Sequence, residues 1–285
     1  MKKRILSASA CCLLAASLFA GCIYFNSITY MQEISTENPE TVAAFDDFLN
    51  DIFVAEVTEN TINLHFTLSD PEDYGITDYP ISLGNISETA AADSNARLEN
   101  YLAGLDAFDY TELTLNQQLT LDILKSYIKL QLDMSDLYLY DEPLRPSTGI
   151  QSQLPILYEE YKFNNEQDVK DYLALIALTG DYFDQVIAFE QQKADAGLFM
   201  ADYSCNTIID QCNSFIADEE NHYLKETFNN KIDKLDTLSL AKRDSYKLQN
   251  EQMVSEYIIP AYKNLAAALK TLAGSGSNEN GLCYF

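Results

Sequence analysis

The 285-residue chain carries 44 Asp+Glu against 18 Lys+Arg, a formal net charge of −26, with 47% hydrophobic residues and no Trp. So acidic a surface repels phosphate backbones and anionic headgroups, which argues against nucleic-acid binding. The apolar share is that of a globular protein rather than a disordered one, and the length suits one large domain or two small ones.

In chain order, residues 1–22, MKKRILSASACCLLAASLFAGC, come first. Lys2, Lys3 and Arg4 form a basic start, an apolar run follows, and Ala20, Gly21 and Cys22 close it. That is the layout of a secretory signal, and the small-small-Cys ending resembles a bacterial lipobox. In a lipobox the Cys is lipidated and becomes the first residue of the mature protein. Phe19 stands where that pattern has Leu, Val or Ile, and Cys11 and Cys12 lie too early in the run. A membrane span needs roughly 20 consecutive apolar residues, and this run is shorter. Residues 1–21 therefore read as a lipoprotein signal peptide and Cys22 as the lipidation site. The protein is expected on the extracytoplasmic face of the cell membrane, lipid-anchored, with a mature net charge of −29 once Lys2, Lys3 and Arg4 are removed.

Residues 22–37 read as a tether, and residues 38–285 as one mainly α domain, an irregular multi-helix array. Asn38 and Pro39 are suited to start a helix, as cap and first-turn residue. Residues 62–68 alternate like a strand, yet Leu64 and Leu68 also suit a helix. Helices are expected at 87–104 and 114–138. The second has two apolar stripes, one through Leu115, Leu119, Ile123, Tyr127, Leu130, Met134 and Leu137, the other through Leu121, Leu124, Ile128 and Leu132. Two apolar faces predict a largely buried helix. Pro143, Pro146, Gly149 and Pro155 mark an irregular crossing segment. Helices at 166–178 and 181–196 are expected to be separated by Gly180, with Gly197 closing the second.

Further helices are expected at 203–218 and 221–234. A last one at 239–273 should kink at Pro260, which removes the bond to the carbonyl of Glu256. Cys205 and Cys212 are about 10 Å apart along one helix, too far to pair within it. They lie on the stripe with Ile208, Ile209, Phe215 and Ile216, as buried thiols would. Cys283 is left over.

Several stretches together resemble one family. Residues 45–76 (FDDFLNDIFVAEVTENTINLHFTLSDPEDYGI), 149–176 (GIQSQLPILYEEYKFNNEQDVKDYLALI), 258–269 (IIPAYKNLAAAL) and 279–285 (ENGLCYF) are similar to the bacterial domain-of-unknown-function family 885. The resemblance implies the N-terminal part of a metallopeptidase-like helical fold. The family looks like thermolysin-clan zinc metallopeptidases, often exported as lipoproteins, with an H-E-x-x-P-G-H helix in which two His bind zinc and Glu serves as general base. In the family that motif lies well beyond the point matched by ENGLCYF.

None of those motif positions exists here, so no catalytic or metal residue and no cofactor is carried over, and zinc is expected only in the complete family fold. The two His residues, His65 and His222, have no second His three or four residues away. His65 reads as a satisfied core residue. His222, with Glu226 one turn on, reads as part of a solvated face. Glu159, Glu160, Asp181 and Asp184 lie on helices in numbers that make a pair unremarkable, and Tyr158 to Tyr161 reads as a surface helix turn, with a cleft lining in the complete family fold as the alternative. No G-x-S-x-G, G-x-G-x-x-G or P-loop occurs. The apolar Leu282, Cys283, Tyr284 and Phe285 are expected to pack against further polypeptide.

Three classes remain open. The chain is an exported half of a metallopeptidase-like protein with no activity of its own, a non-catalytic surface binding module, or half of a split enzyme whose zinc-bearing C-terminal part is a separate chain. Its membrane partner in each is reached through lipidated Cys22.

Overall fold

A computed structural model describes residues 36–280. The leader, Cys22, most of the tether and the residues around Cys283 lie outside them. The described residues form ten α-helices joined by 3₁₀ turns and one π-helical turn, with no strand.

An outer layer comes first. Helix α1 (Pro39–Thr58) starts as its sequence predicts, with Asn38 Oδ1 accepting the Glu40 N–H and Pro39 in the first turn. The ambiguous segment is a helix, α2 (Thr61–Thr67), because Asn60 caps it through the Asn63 N–H, and Ile62 and Leu64 are buried on different sides of it, in separate apolar clusters. Helix α3 (Glu88–Asp106) is capped by Ser87, and α4 (Leu115–Asp133) by a reciprocal capping box between Thr114 and Gln117. The chain then tightens into a 3₁₀ turn over Ser135–Tyr140.

The expectation that this fourth helix is largely buried is overturned. Leu121 and Ile128 are buried with Phe45, Leu105 and Leu113, and Leu124 and Leu132 pack against them. The other stripe faces solvent, its seven members 48–58% exposed. Both stripes have helical spacing, but α4 has neighbours on one side only, chiefly α3 and the Ser135–Tyr140 turn.

The inner layer begins after Leu144. The segment expected to be irregular contains helix α5 (Ile150–Glu160), with Gly149 as N-cap and Pro155 inside. Proline has no N–H for the carbonyl four residues back, which here is that of Gln151. Tyr262 supplies the missing donor, its hydroxyl reaching the Gln151 carbonyl at 3.0 Å. The predicted break at Gly180 is also absent, since α6 runs unbroken from Glu166 to Asp195. Gly inside a helix costs about 1 kcal/mol against Ala. Leu173, Ile176, Phe183 and Val186 keep one register across Gly180, and their burial outweighs that cost. Gly197, at φ 74°, ends the segment as expected.

Helices α7 (Asp202–Phe215), α8 (Tyr223–Ile232), α9 (Leu240–Met253) and α10 (Ile259–Leu272) complete the layer. The last two are joined by a π-helical turn, Val254–Ile258, which ends two residues before Pro260. The Ile259 N–H bonds to the Val254 carbonyl, so the chain accommodates Pro260 by widening one turn. Cys205 and Cys212 are fully buried free thiols on α7, and burial pushes them up to about 11 and about 12. The main core is formed by α5 to α10, and α10 packs most extensively on α7 and α6.

Candidate functional site

A cleft of about 570 Å³ opens where α2 and the loop after it face the turn between α5 and α6. Its polar walls include His65, Asp70, Tyr79 and Asp168, and Tyr161 forms its floor. The capping chemistry of the two helices positions these groups. Asn165 caps α6 with Asp168 in a reciprocal box, which holds Asp168 at the rim. The end of α5 is held by Lys231, whose Nζ donates to the carbonyls of Tyr158, Glu159 and Tyr161 at 2.9, 3.2 and 3.1 Å. Its ammonium also lies over the Phe163 and Tyr172 rings at 4.8 and 4.9 Å. Burial lowers the Lys231 pKa to about 8, against the opposing pull of Glu159 and Glu160.

His65 is stacked on Tyr161, with ring centroids 3.7 Å apart and planes 8° from parallel. Its Nε2 accepts the Lys162 N–H at 3.1 Å, and its Nδ1 is 3.9 Å from Asp168 Oδ1. Burial lowers its pKa, with Asp168 opposing. This hydrogen-bond pattern assigns a neutral ring with the proton on Nδ1. Deeper in the wall, the Tyr79 hydroxyl donates to Asp171 Oδ2 at 2.8 Å while Gln167 Nε2 donates to Oδ1 at 2.7 Å. Burial and the Asp171 bond both raise the Tyr79 pKa. The His65 imidazole, the Asp171 carboxylate and the Tyr79 phenol thus already have protein partners. The cleft is equipped to recognise a polar ligand at its rim; it presents no activated nucleophile.

His222 lies elsewhere and is a correction to the expected solvated face. It is 2% exposed and serves as the N-cap of α8, its Nδ1 accepting the Leu224 N–H at 3.4 Å. Its ring packs against Phe215 and Tyr223. Burial lowers its pKa, with the Phe215 carbonyl opposing. Zinc, which the resemblance implies for the complete family, does not fit these residues. Each His already uses one ring nitrogen to accept a backbone N–H, and a catalytic zinc needs three protein ligands with free lone pairs. No group of three or more His, Cys, Asp or Glu converges among the described residues.

The remaining candidates separate. Tyr158 and Tyr161 are buried, Tyr161 reaching the cleft, while Glu159 and Glu160 point to solvent. Asp184 accepts from Asn264 at 2.8 Å and so ties α6 to α10. Sequence reasoning missed a buried charged group on α6. Lys193, fully buried, donates to the Asp141 carbonyl at 2.7 Å and pairs with Glu142 at 2.9 Å. Glu190 lies beside it with both carboxylate oxygens unpartnered, its pKa raised by burial to about 7. The signal was present, because Glu190 and Lys193 continue the register of Phe183 and Val186.

The described residues are helical and bring together no set of three or more metal-ligating side chains, and the chain matches a family profile. Residues 72–282 match the family described as "Bacterial protein of unknown function (DUF885)", and the chain belongs to it. Among solved structures it is similar to one titled "The crystal structure of the putative lipoprotein from Colwellia psychrerythraea", at 14% identity and a TM-score of 0.68. The superposition covers 83% of this chain and 42% of that one, so the chain spans less than half the length of the solved relative. No curated protein matches. No helix among the described residues is long and apolar enough to cross a membrane.

Proposed function

We propose that this chain is an exported lipoprotein, anchored through Cys22, equivalent to the N-terminal half of a thermolysin-clan, zinc-metallopeptidase-like protein, and without a catalytic site of its own. The observation that carries the reading is the partial superposition: most of this chain aligns with under half of a longer chain. The description of that relative as a putative lipoprotein supports the anchoring, as does the leader ending in Ala20, Gly21 and Cys22. The occupied ring nitrogens of His65 and His222 support the absence of zinc chemistry in this half.

Two measurements test it. In cells, the wild-type chain should partition with membranes and the Cys22→Ser chain should not. Purified protein should hold far less than one zinc per chain and cleave no peptide. Stoichiometric zinc with chelator-sensitive cleavage would sink the proposal. A second reading, a non-catalytic surface binding module for a peptide or cell-wall ligand, is favoured by the cleft around His65 and Tyr161. Thermal stabilisation by such a ligand, lost in Tyr161→Ala, would select it. Co-purification of a separate HExxPGH-bearing chain would instead select the split enzyme.

A further inference from the structure

Among the described residues, the outer face of α4 is the longest run of apolar side chains left in solvent. Leu115, Leu119, Ile123, Tyr127, Leu130 and Met134 follow one another at spacings of three and four, and Leu137 extends the run into the next turn. We propose that this face lies on the lipid surface to which Cys22 tethers the chain. The inference rests on the reading of Cys22 as lipidated.

The first support is where the tether joins the domain. The Thr36 N–H donates to the Thr111 carbonyl at 3.2 Å and the Asn38 N–H to the Glu112 carbonyl at 2.9 Å. Asn38 Nδ2 and Thr41 Oγ1 both reach Glu112 Oε2, at 3.2 and 2.5 Å. Thr111 and Glu112 belong to the 3₁₀ turn just before α4. The tether therefore arrives within one turn of Leu115, at one end of the apolar face. From Cys22 to Thr36 the chain reaches at most about 50 Å even when fully extended. A lipid on Cys22 keeps this face within that distance of the bilayer, at high effective concentration.

Shape favours a lipid surface over a protein partner. The face is a ridge on a single helix, and none of its residues lines a described cleft. Protein hot spots are anchors seated in pockets, whereas an interfacial helix needs only a continuous apolar stripe with an amphipathic ring at the water boundary. Tyr127 supplies that ring. Lys125, Lys129, Asp122 and Asp133 border the face, and Lys125 is paired with Asp106. With mixed charge at the border and an acidic chain behind it, uncharged or zwitterionic headgroups are preferred to anionic ones.

The absence of Trp makes a clean test. A mature chain starting at residue 22 and carrying Cys22→Ser and Ile123→Trp has a single indole on the face and no acyl chain. With phosphatidylcholine vesicles its emission should shift to the blue and be quenched by lipids brominated on their acyl chains, less so when phosphatidylglycerol is included. Adding Leu119→Lys and Tyr127→Lys should lower the vesicle-bound fraction about tenfold, with the circular-dichroism melt unchanged. Emission indifferent to lipid, or a lysine pair that leaves binding intact, overturns the proposal. So does a blue shift that grows with protein concentration in lipid-free buffer, because a second copy would then cover the face. Lipidation is read separately, by membrane partition of the wild-type and Cys22→Ser chains. If wild type is membrane-bound while the indole stays silent, only the α4 inference falls. If Cys22 proves unmodified, the anchoring falls and the vesicle result still reports on the face.

Discussion

The inner helix α6 and the outer helix α4 both carry apolar stripes at helical spacing, yet they bury different fractions of them. In the inner layer one helix, α6, is enclosed closely enough to bury Asp171, Glu190 and Lys193 along with its apolar residues. In the outer layer α4 has an equally apolar second face and leaves it in water. The difference lies in the number of packing neighbours. A helix with neighbours on several sides must satisfy or neutralise every polar group it carries inward, whereas a helix packed on one side keeps only one of its stripes dry.

The sharpest way to break that comparison is to delete equivalent apolar volume in each region. Phe183→Ala, in the inner core, should cost about 3–5 kcal/mol in chemical denaturation. A cost below 1 kcal/mol would mean that α6 is not enclosed as described.

Next in size is Glu190, whose buried carboxyl has its folded pKa raised from 4.5 to about 7. A raised acid pKa favours the protonated fold, so the contribution is fully present below pH 4.5. It is then lost by about 3 kcal/mol as pH rises to 7. Glu190→Gln should abolish that slope in urea melts taken across this range. His65 and His222 act in the opposite sense, because their pKa values are lowered and stability falls as pH drops below 6.5. An unchanged slope in the Gln variant would place the inner-layer acid in water.

Tyr262→Phe comes third. It strips the hydroxyl from the Gln151 carbonyl that Pro155 leaves unbonded, and should lower stability by about 1–3 kcal/mol. The smallest effect is expected on the outer face, where Leu119→Ala should stay within about 0.5 kcal/mol. If Leu119→Ala matched Phe183→Ala, the two layers would not differ and the outer face would be covered in the isolated chain.

Much of the fold was legible because caps and periodicity are local. Asn38 with Pro39, Ser87, Thr114 and Gly197 mark helix ends by hydrogen bonds and backbone angles that need no distant partner. The reading at Gly180 failed because a propensity cost of about 1 kcal/mol is small beside the burial on both sides of it. That at Pro155 failed because the donor replacing its missing N–H is Tyr262, 107 residues away. Of the cleft, Tyr161 read as part of a surface turn and is instead buried at the floor, and Tyr79, Asp168 and Asp171 were not singled out, since their meeting depends on α2 and α6 coming together. His222 was misplaced because nothing in its neighbours distinguishes a buried cap from an exposed one.

By itself the sequence determined the helical class, most helix starts, the family resemblance, the buried thiols Cys205 and Cys212, and the absence of an HExxH pair. Those follow from composition, spacing and local hydrogen bonding. Only the tertiary structure decided which stripe of α4 is dry, which charges α6 carries inward, and where the tether meets the domain. A helical repeat shows that a face is apolar, but burial is settled by what packs there, and those partners are distant in sequence.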